Sequence, residues 1–187
     1  MTDELNIRET LEKVMGLLKG RTARKLEEQG HKNTGSLENS LDYEVVYENG
    51  DWVGRMMAAD YGIILEFGVS PDKIPYSGRS GNGGTSQYIQ GLVKYWEGKG
   101  LGQREALRAA FATATIHKRE GIPSRQSLQY SRSGKRTGFI TEVLKESEGD
   151  IRQLMEGSLQ GVGIEIIFGD DFRSIQTEIL DLGQIDI

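Results

Sequence analysis

Five groups of residues in this chain have the types that chemistry needs, and their spacing decides what each can do. His31 and His117 are far apart, and neither has a second histidine or an acid at ligand spacing. They do not make a metal site and read as surface or capping side chains. The serines include no G-x-S-x-G elbow, and none is paired with a credible base, which removes serine nucleophile chemistry. The run SGRSGNGG, starting at Ser77, has the look of a phosphate cradle. A P-loop, however, needs Gly-Lys-Ser/Thr opening a helix, and a dinucleotide fold needs G-x-G-x-x-G after a strand. Neither context surrounds the run, so it reads as a flexible loop. Glu44/Glu48 and Glu142/Glu146 are carboxylate pairs, yet each lies among other charged residues on what reads as a solvated face.

The fifth group is basic. Arg125, Arg132, Lys135 and Arg136 stand between Ser124 and Gly138 with no acid among them. Such a stretch serves either as an exposed, solubilising loop or as a contact for DNA or an acidic protein surface. Helix starts beside arginines also hold phosphates well. Charge by itself does not separate these uses. Nothing in the inventory implies a catalytic residue, a cofactor or a metal, and the chain is not expected to be an enzyme.

Composition sets the frame that must position these groups. With 187 residues, 36% hydrophobic and 27% charged, the chain can bury one respectable core with appendages. It contains no cysteine, which excludes disulfides and thiolate metal sites and fits folding in a reducing cytoplasm. The start, MTDELNIRETLEKV, is charged and amphipathic without the apolar centre of a secretion signal, and no run approaches the length of a membrane span. A soluble intracellular protein without membrane contact is expected. The formal net charge of −5 argues against a general affinity for nucleic-acid backbone.

Periodicity gives the elements. Ile7, Leu11, Val14, Leu18 and Leu26 predict a helix over about 3–29, closed by Gly30. Thr34-Gly35-Ser36-Leu37 opens a short helix in which Leu37 and Leu41 share a face. Two strands, 43–47 and 52–59, flank Asn49-Gly50, whose positive-φ residues suit a tight hairpin. Asp60 is placed to cap an apolar helix from Tyr61 to Phe67, which Gly68 ends. A Gly/Pro/Ser-rich loop follows over 70–86, then one helix carrying Tyr88, Ile89, Leu92, Val93 and Trp96 and an alanine-rich one that should pack closely against a neighbour. The stretch 121–138 lacks helical periodicity. Beyond it Ile140, Val143, Leu144, Ile151, Leu154, Met155 and Leu159 predict a long amphipathic helix, stopped by Gly161 and Gly163. The β-branched run 163–168 predicts a strand that pairs with the hairpin.

The expected fold is therefore α+β. A small antiparallel sheet, made of the hairpin 43–59 and strand 163–168, packs against the long first helix and the long late helix, with extended loops. Residues 1–168 form one domain with a loop and helix insertion at about 70–137, and 169–187 form an acidic tail or docking arm. The sheet's open edges are places where another copy could add.

This order of elements resembles the head–tail joining and tail-completion proteins of the tailed-bacteriophage neck. The matching positions are Thr34, Gly35, Ser36 and Leu37, then Tyr61, Gly62, Glu66, Phe67 and Gly68 in a Y-[AG]-x-x-x-E-[FY]-G pattern. The Arg/Pro motif that precedes the family's last long helix has a counterpart in Ile122-Pro123-Ser124-Arg125, with Pro and Arg inverted and the usual Phe missing. The resemblance implies a structural virion protein, assembled in the host cytoplasm, that forms a ring of about six copies. Its implied partners are a connector or stopper protein on one side and a tail-tube or tail-terminator protein on the other. DNA would pass through the lumen without sequence-specific binding. On this reading Thr34, Leu37, Tyr61, Glu66, Phe67, Arg125, Arg132, Lys135 and Arg136 are the expected subunit or partner contacts. Another tail-morphogenesis part (tail terminator, connector ring or minor tail protein) is the first alternative, and a DNA-binding protein using 119–136 the second.

Overall fold

The architecture comes from a computed structural model that describes residues 2–31, 35–78, 86–155 and 162–168. The centre of the Gly/Ser loop, the expected end of the late helix at Leu159 and Gly161, and the acidic tail 169–187 lie outside the described residues. The chain divides into two compact units, Met1–Glu66 with Tyr130–Ile187, and Phe67–Gln129. The insertion expected at about 70–137 corresponds to the second unit, while residues 130–137 belong to the first.

In the first unit, helix α1 (Thr2–Glu28) buries one stripe with two characters. Leu11, Val14, Met15 and Leu18 are fully buried in the apolar half, and the stripe then continues through Thr22, Lys25, Leu26 and Gln29. The apolar half packs on the sheet; the polar half turns to a second helix. Gly30, at φ 73°, closes α1 as its sequence predicts, and His31 N–H donates to the Leu26 carbonyl at 2.9 Å. A short helix α2 (Ser36–Ser40) then buries Leu37 and leads into the sheet.

Strands β1 (Asp42–Glu48) and β2 (Asp51–Ala58) form the expected antiparallel hairpin, turned by Asn49 at φ 54° and Gly50 at φ 99°. Their register aligns Tyr43 with Met56, Val45 with Gly54 and Tyr47 with Trp52 on the face that α1 covers. Gly54 is needed there because a Cβ would lie 2.6 Å from the Met15 sulfur. Strand β3 (Val162–Phe168) joins β2, giving the order β1-β2-β3. It runs parallel to β2, with Trp52 opposite Val162 and Ala58 opposite Phe168, which corrects the expectation of a wholly antiparallel sheet. The physical reason is the connection: the late helix carries the chain back to the end where β2 begins, and such a crossover delivers a strand in the same direction. That helix, α6 (Phe139–Met155), buries Phe139, Ile140, Val143, Ser147, Ile151 and Met155, whereas Leu154 faces out. One core thus lies between the sheet and the α1/α6 pair.

The second unit is a helical hairpin. Between Gly68 and α4, a 3-10 turn at Pro71–Lys73 orders part of the stretch expected as loop. Helices α4 (Gln87–Gly98) and α5 (Gln103–Glu120) meet through Ile89, Ala110 and Ala114, and Ala106, Ala110 and Ala114 recur every four residues with no exposed surface. Small side chains at that spacing let two helices approach closely. Trp96 Nε1 donates to Thr113 Oγ1 at 3.0 Å across the pair. At the unit's base Val69 and Ile122 exchange two backbone hydrogen bonds of 2.8 Å. Gly68 and Gly121 make that closure possible: a Cβ at Gly68 would stand 2.5 Å from the Ile122 oxygen, and one at Gly121 would stand 2.6 Å from the Val69 oxygen.

Candidate interaction surface

The short helix α3 (Gly62–Phe67) follows β2 and points two ways. Inward, Glu66 is 5% exposed and its carboxylate seats the start of α6. Oε2 accepts the Ile140 N–H at 2.8 Å, and Oε1 accepts the Thr141 N–H at 3.0 Å and the Thr141 hydroxyl at 2.5 Å. The Glu66 carbonyl also accepts the Gly138 N–H at 2.8 Å. A carboxylate at this position satisfies amide donors that a helix start leaves unpaired, and it meets the positive end of the helix dipole. Outward, α3 and the residue before it show Tyr61, Ile64 and Phe67, at 42%, 37% and 52% exposure. Steps of three keep them on one side of the helix. Tyr61 is also tied back, its hydroxyl 2.9 Å from Ser36 Oγ, so the two halves of the TGSL and YGIILEFG pattern meet in the fold.

The nine expected contact residues fall into different places. Thr34 lies outside the described residues. Leu37 is 4% exposed inside the core, and Glu66 is engaged by its own chain, so both are internal supports. Tyr61 and Phe67 do face outward. The four basic residues are divided between the two units. Arg125 sits in a 3-10 turn (Arg125–Tyr130) and belongs to the second unit; its backbone N–H donates to Glu120 Oε2 at 3.1 Å. Arg132, Lys135 and Arg136 belong to the first. Arg132 is exposed, and its N–H donates to the Glu28 carbonyl at 2.9 Å. Lys135 pairs with Glu142 at 2.6 Å. Arg136 donates to the Gly30 carbonyl at 3.1 Å and reaches His31 Nδ1 at 3.4 Å.

His31 explains why that loop is held. Its Nε2 lies 3.1 Å from the Arg136 carbonyl, which fixes the proton on Nε2 and leaves Nδ1 to accept from the guanidinium. Burial, reinforced by the neighbouring Arg136 charge, pushes its pKa down to about 4. His31 is a neutral bracket rather than a surface group. The pKa of His117, in the second unit, is likewise lowered by burial; its Nδ1 is hydrogen-bonded to the Tyr88 hydroxyl at 2.7 Å, and burial pushes the Tyr88 pKa up to about 12.

One polar feature is not visible in the sequence. Arg21 and Lys25 of α1, with Gln29 just after it, face Glu142, Glu146, Ser147 and Asp150 of α6. Lys25 Nζ, its side chain 10% exposed, lies 2.7 Å from Glu146, 3.4 Å from Glu28 and 3.8 Å from Glu142. The hydrogen bond that Lys25 donates to Glu146 raises the Lys25 pKa against its own desolvation, and Lys135 together with Lys25 lowers that of Glu142. Glu142, its side chain 21% exposed, is drawn into an interhelical seam, which corrects its reading as an ordinary solvated face, whereas Glu146 pairs with Lys25 from a position that stays 58% exposed. Glu44 and Glu48 do lie on the solvent side, sharing Arg55 at 3.6 and 2.5 Å. An open cleft of about 360 Å³ beside the seam is lined by Arg21, Arg24, Lys25, Glu28 and Glu146. Among the described residues no group of three or more His, Asp or Glu could hold a metal ion, and no helix is long and apolar enough to cross a membrane. No family model matches the chain, and neither characterised proteins nor solved structures give a match.

Proposed function

We propose that this chain is a structural subunit of a tailed-bacteriophage neck, forming a ring that joins or completes the head–tail interface and lets DNA pass. The reading rests on the resemblance of the TGSL and YGIILEFG segments. One observation carries it further: α3 anchors α6 through buried Glu66 and at the same time shows Tyr61, Ile64 and Phe67 to the outside. A rigid support under an exposed apolar stripe suits a contact surface, since scattered apolar residues need no explanation but contiguous ones do. Function would then lie in self-association and in docking to connector and tail-tube subunits within the virion.

Sedimentation of the purified protein at increasing concentration tests this directly. A closed oligomer of about six copies is expected, together with binding to either neighbouring ring. A chain that stays monomeric at high concentration and binds neither refutes the reading. Particles lacking the protein should show full heads and finished tails that fail to join. Unfinished or overlong tails would instead support a tail terminator or another tail-morphogenesis part. The DNA-binding alternative is the less favoured, because Lys135 and Arg136 already have partners within the chain.

A further inference from the structure

The formal charge of −5 hides a strong division. Nine Lys and Arg but only four Asp and Glu fall within Phe67–Gln129, giving the second unit +5 and leaving −10 for the first. Three of the nine cations, Arg104, Arg108 and Arg119, lie on the side of α5 away from α4, with the exposed Glu105 beside them. Ala106, Ala110 and Ala114 face inward, and Arg104, Arg108, Ala112, Thr115 and Arg119 all face solvent on the opposite side. Arg119 pairs with Glu120, but Arg104 and Arg108 are in no ion pair with a described carboxylate. Between them on the helix stand Leu107 and, one turn on, Phe111, 37% and 38% exposed. Arginines interleaved with exposed apolar and aromatic side chains are the composition of a protein-binding surface.

The first unit carries the opposite pattern. From Gly35 to Asp51 there are five acids (Glu38, Asp42, Glu44, Glu48 and Asp51) and no Lys or Arg. Lys19 pairs with Asp42, and Arg55 is shared by Glu44 and Glu48. Two cations against five acids leave the hairpin negative. At its tip Glu48 and Asp51 are direct cross-strand partners, and Tyr47 beside them is 56% exposed. Side chains directly opposite on a hairpin have Cβ atoms about 5 Å apart, close to the roughly 6 Å between residues one helical turn apart. Glu48 already accepts from Arg55, and Asp51 is in no ion pair with a described cation. The tip thus offers Asp51 and the remaining lone pairs of Glu48 at a spacing that matches Arg104 and Arg108, while Tyr47 points to the other face of the sheet.

We infer that the tip of the β1–β2 hairpin of one copy docks on the outward face of α5 of the next copy. The inference rests on the self-assembly proposed above and supplies its contact. The contact is heterologous, pairing two different surfaces, so repetition closes a ring when the rotation per subunit allows. Opposite charges steer the encounter and fix its register.

Charge exchange tests it. R104E/R108E and E48K/D51K should each weaken self-association at least about 100-fold in sedimentation at 100 mM salt, with circular dichroism checking that the fold is kept. The quadruple variant, with both surfaces reversed, should assemble like the original protein. Assembly that survives both double variants, or that the quadruple variant fails to restore, overturns this contact while leaving the ring reading intact. A chain monomeric at every concentration overturns both. If the double variants instead change the melting temperature or hydrodynamic radius of a monomer, the two charges meet within one chain and the inference is wrong. If R104E/R108E abolishes salt-dependent binding of a 30-base-pair duplex and leaves assembly untouched, the α5 face is a nucleic-acid contact and the inference is again wrong.

Discussion

Replacing Glu66 by alanine should destabilise the first unit by about 3–4 kcal/mol, a magnitude that follows from what the side chain touches. Three hydrogen bonds of 2.8, 3.0 and 2.5 Å end on its carboxylate, and the site is 5% exposed. A hydrogen bond to a charged group contributes about 1.5–3 kcal/mol, and leaving a buried donor unpaired costs about 1–3 kcal/mol. These contributions do not simply add, because all three share one carboxylate, and loss of a helix N-cap alone costs about 0.5–2 kcal/mol. Glu66→Gln keeps one acceptor oxygen and the shape, so it should cost less, about 1–2 kcal/mol. The two tryptophans make the measurement specific, Trp52 lying in the first unit and Trp96 in the second. Urea unfolding followed by fluorescence in a Trp96→Phe background reports the first unit alone. Alanine and glutamine variants both within about 0.5 kcal/mol of the parent, the range of an ordinary surface change, would refute the clamp.

Three further outcomes follow from the same geometry. Gly30→Ala places a Cβ 2.2 Å from the Tyr130 carbonyl oxygen at φ 73°, so it should cost about 2 kcal/mol or more; Gly20→Ala, where a Cβ meets nothing within 4 Å, is the control and should lose no stability on urea titration. The folded pKa of His31, about 4, is below its ordinary 6.5, so the unfolded chain binds the proton more tightly. Its contribution is complete above pH 6.5 and drains away as pH falls toward 4; with partial solvent screening it amounts to about 2 kcal/mol. The difference in unfolding free energy between pH 7 and pH 4.5 should therefore shrink in His31→Gln, and equal slopes in parent and variant would rule out the neutral bracket. Lys25→Met should stay within about 1 kcal/mol of the parent, since an apolar replacement removes a desolvated charge along with its pairings, whereas Lys25→Glu sets like charges together beside Glu142 and Glu146 and should cost about 3 kcal/mol or more by chemical denaturation.

What could be read from the chain in advance was what local chemistry decides. Asn49-Gly50 specifies its turn without help from the rest of the molecule, and the alanines at 106, 110 and 114 announce a close helix pair. Strand direction was not of this kind. The residues of β3 are equally suited to either sense, and only the path of α6 selects the parallel one. The polar seam was hidden for a related reason: Lys25 and Glu146 look like surface charge on separate helices until packing sets them 2.7 Å apart. Glu66 shows the same limit within one motif, since its spacing marks it out beside Tyr61 and Phe67 but cannot say which of the three turns inward. The fold answers by partner: two amide donors at the start of α6 require a carboxylate, and no aromatic side chain could replace it. That requirement keeps Tyr61, Ile64 and Phe67 on the outside of α3. The exposed stripe is thus a consequence of the buried clamp, and a variant that loosens Glu66 should disturb assembly even though Glu66 touches no partner.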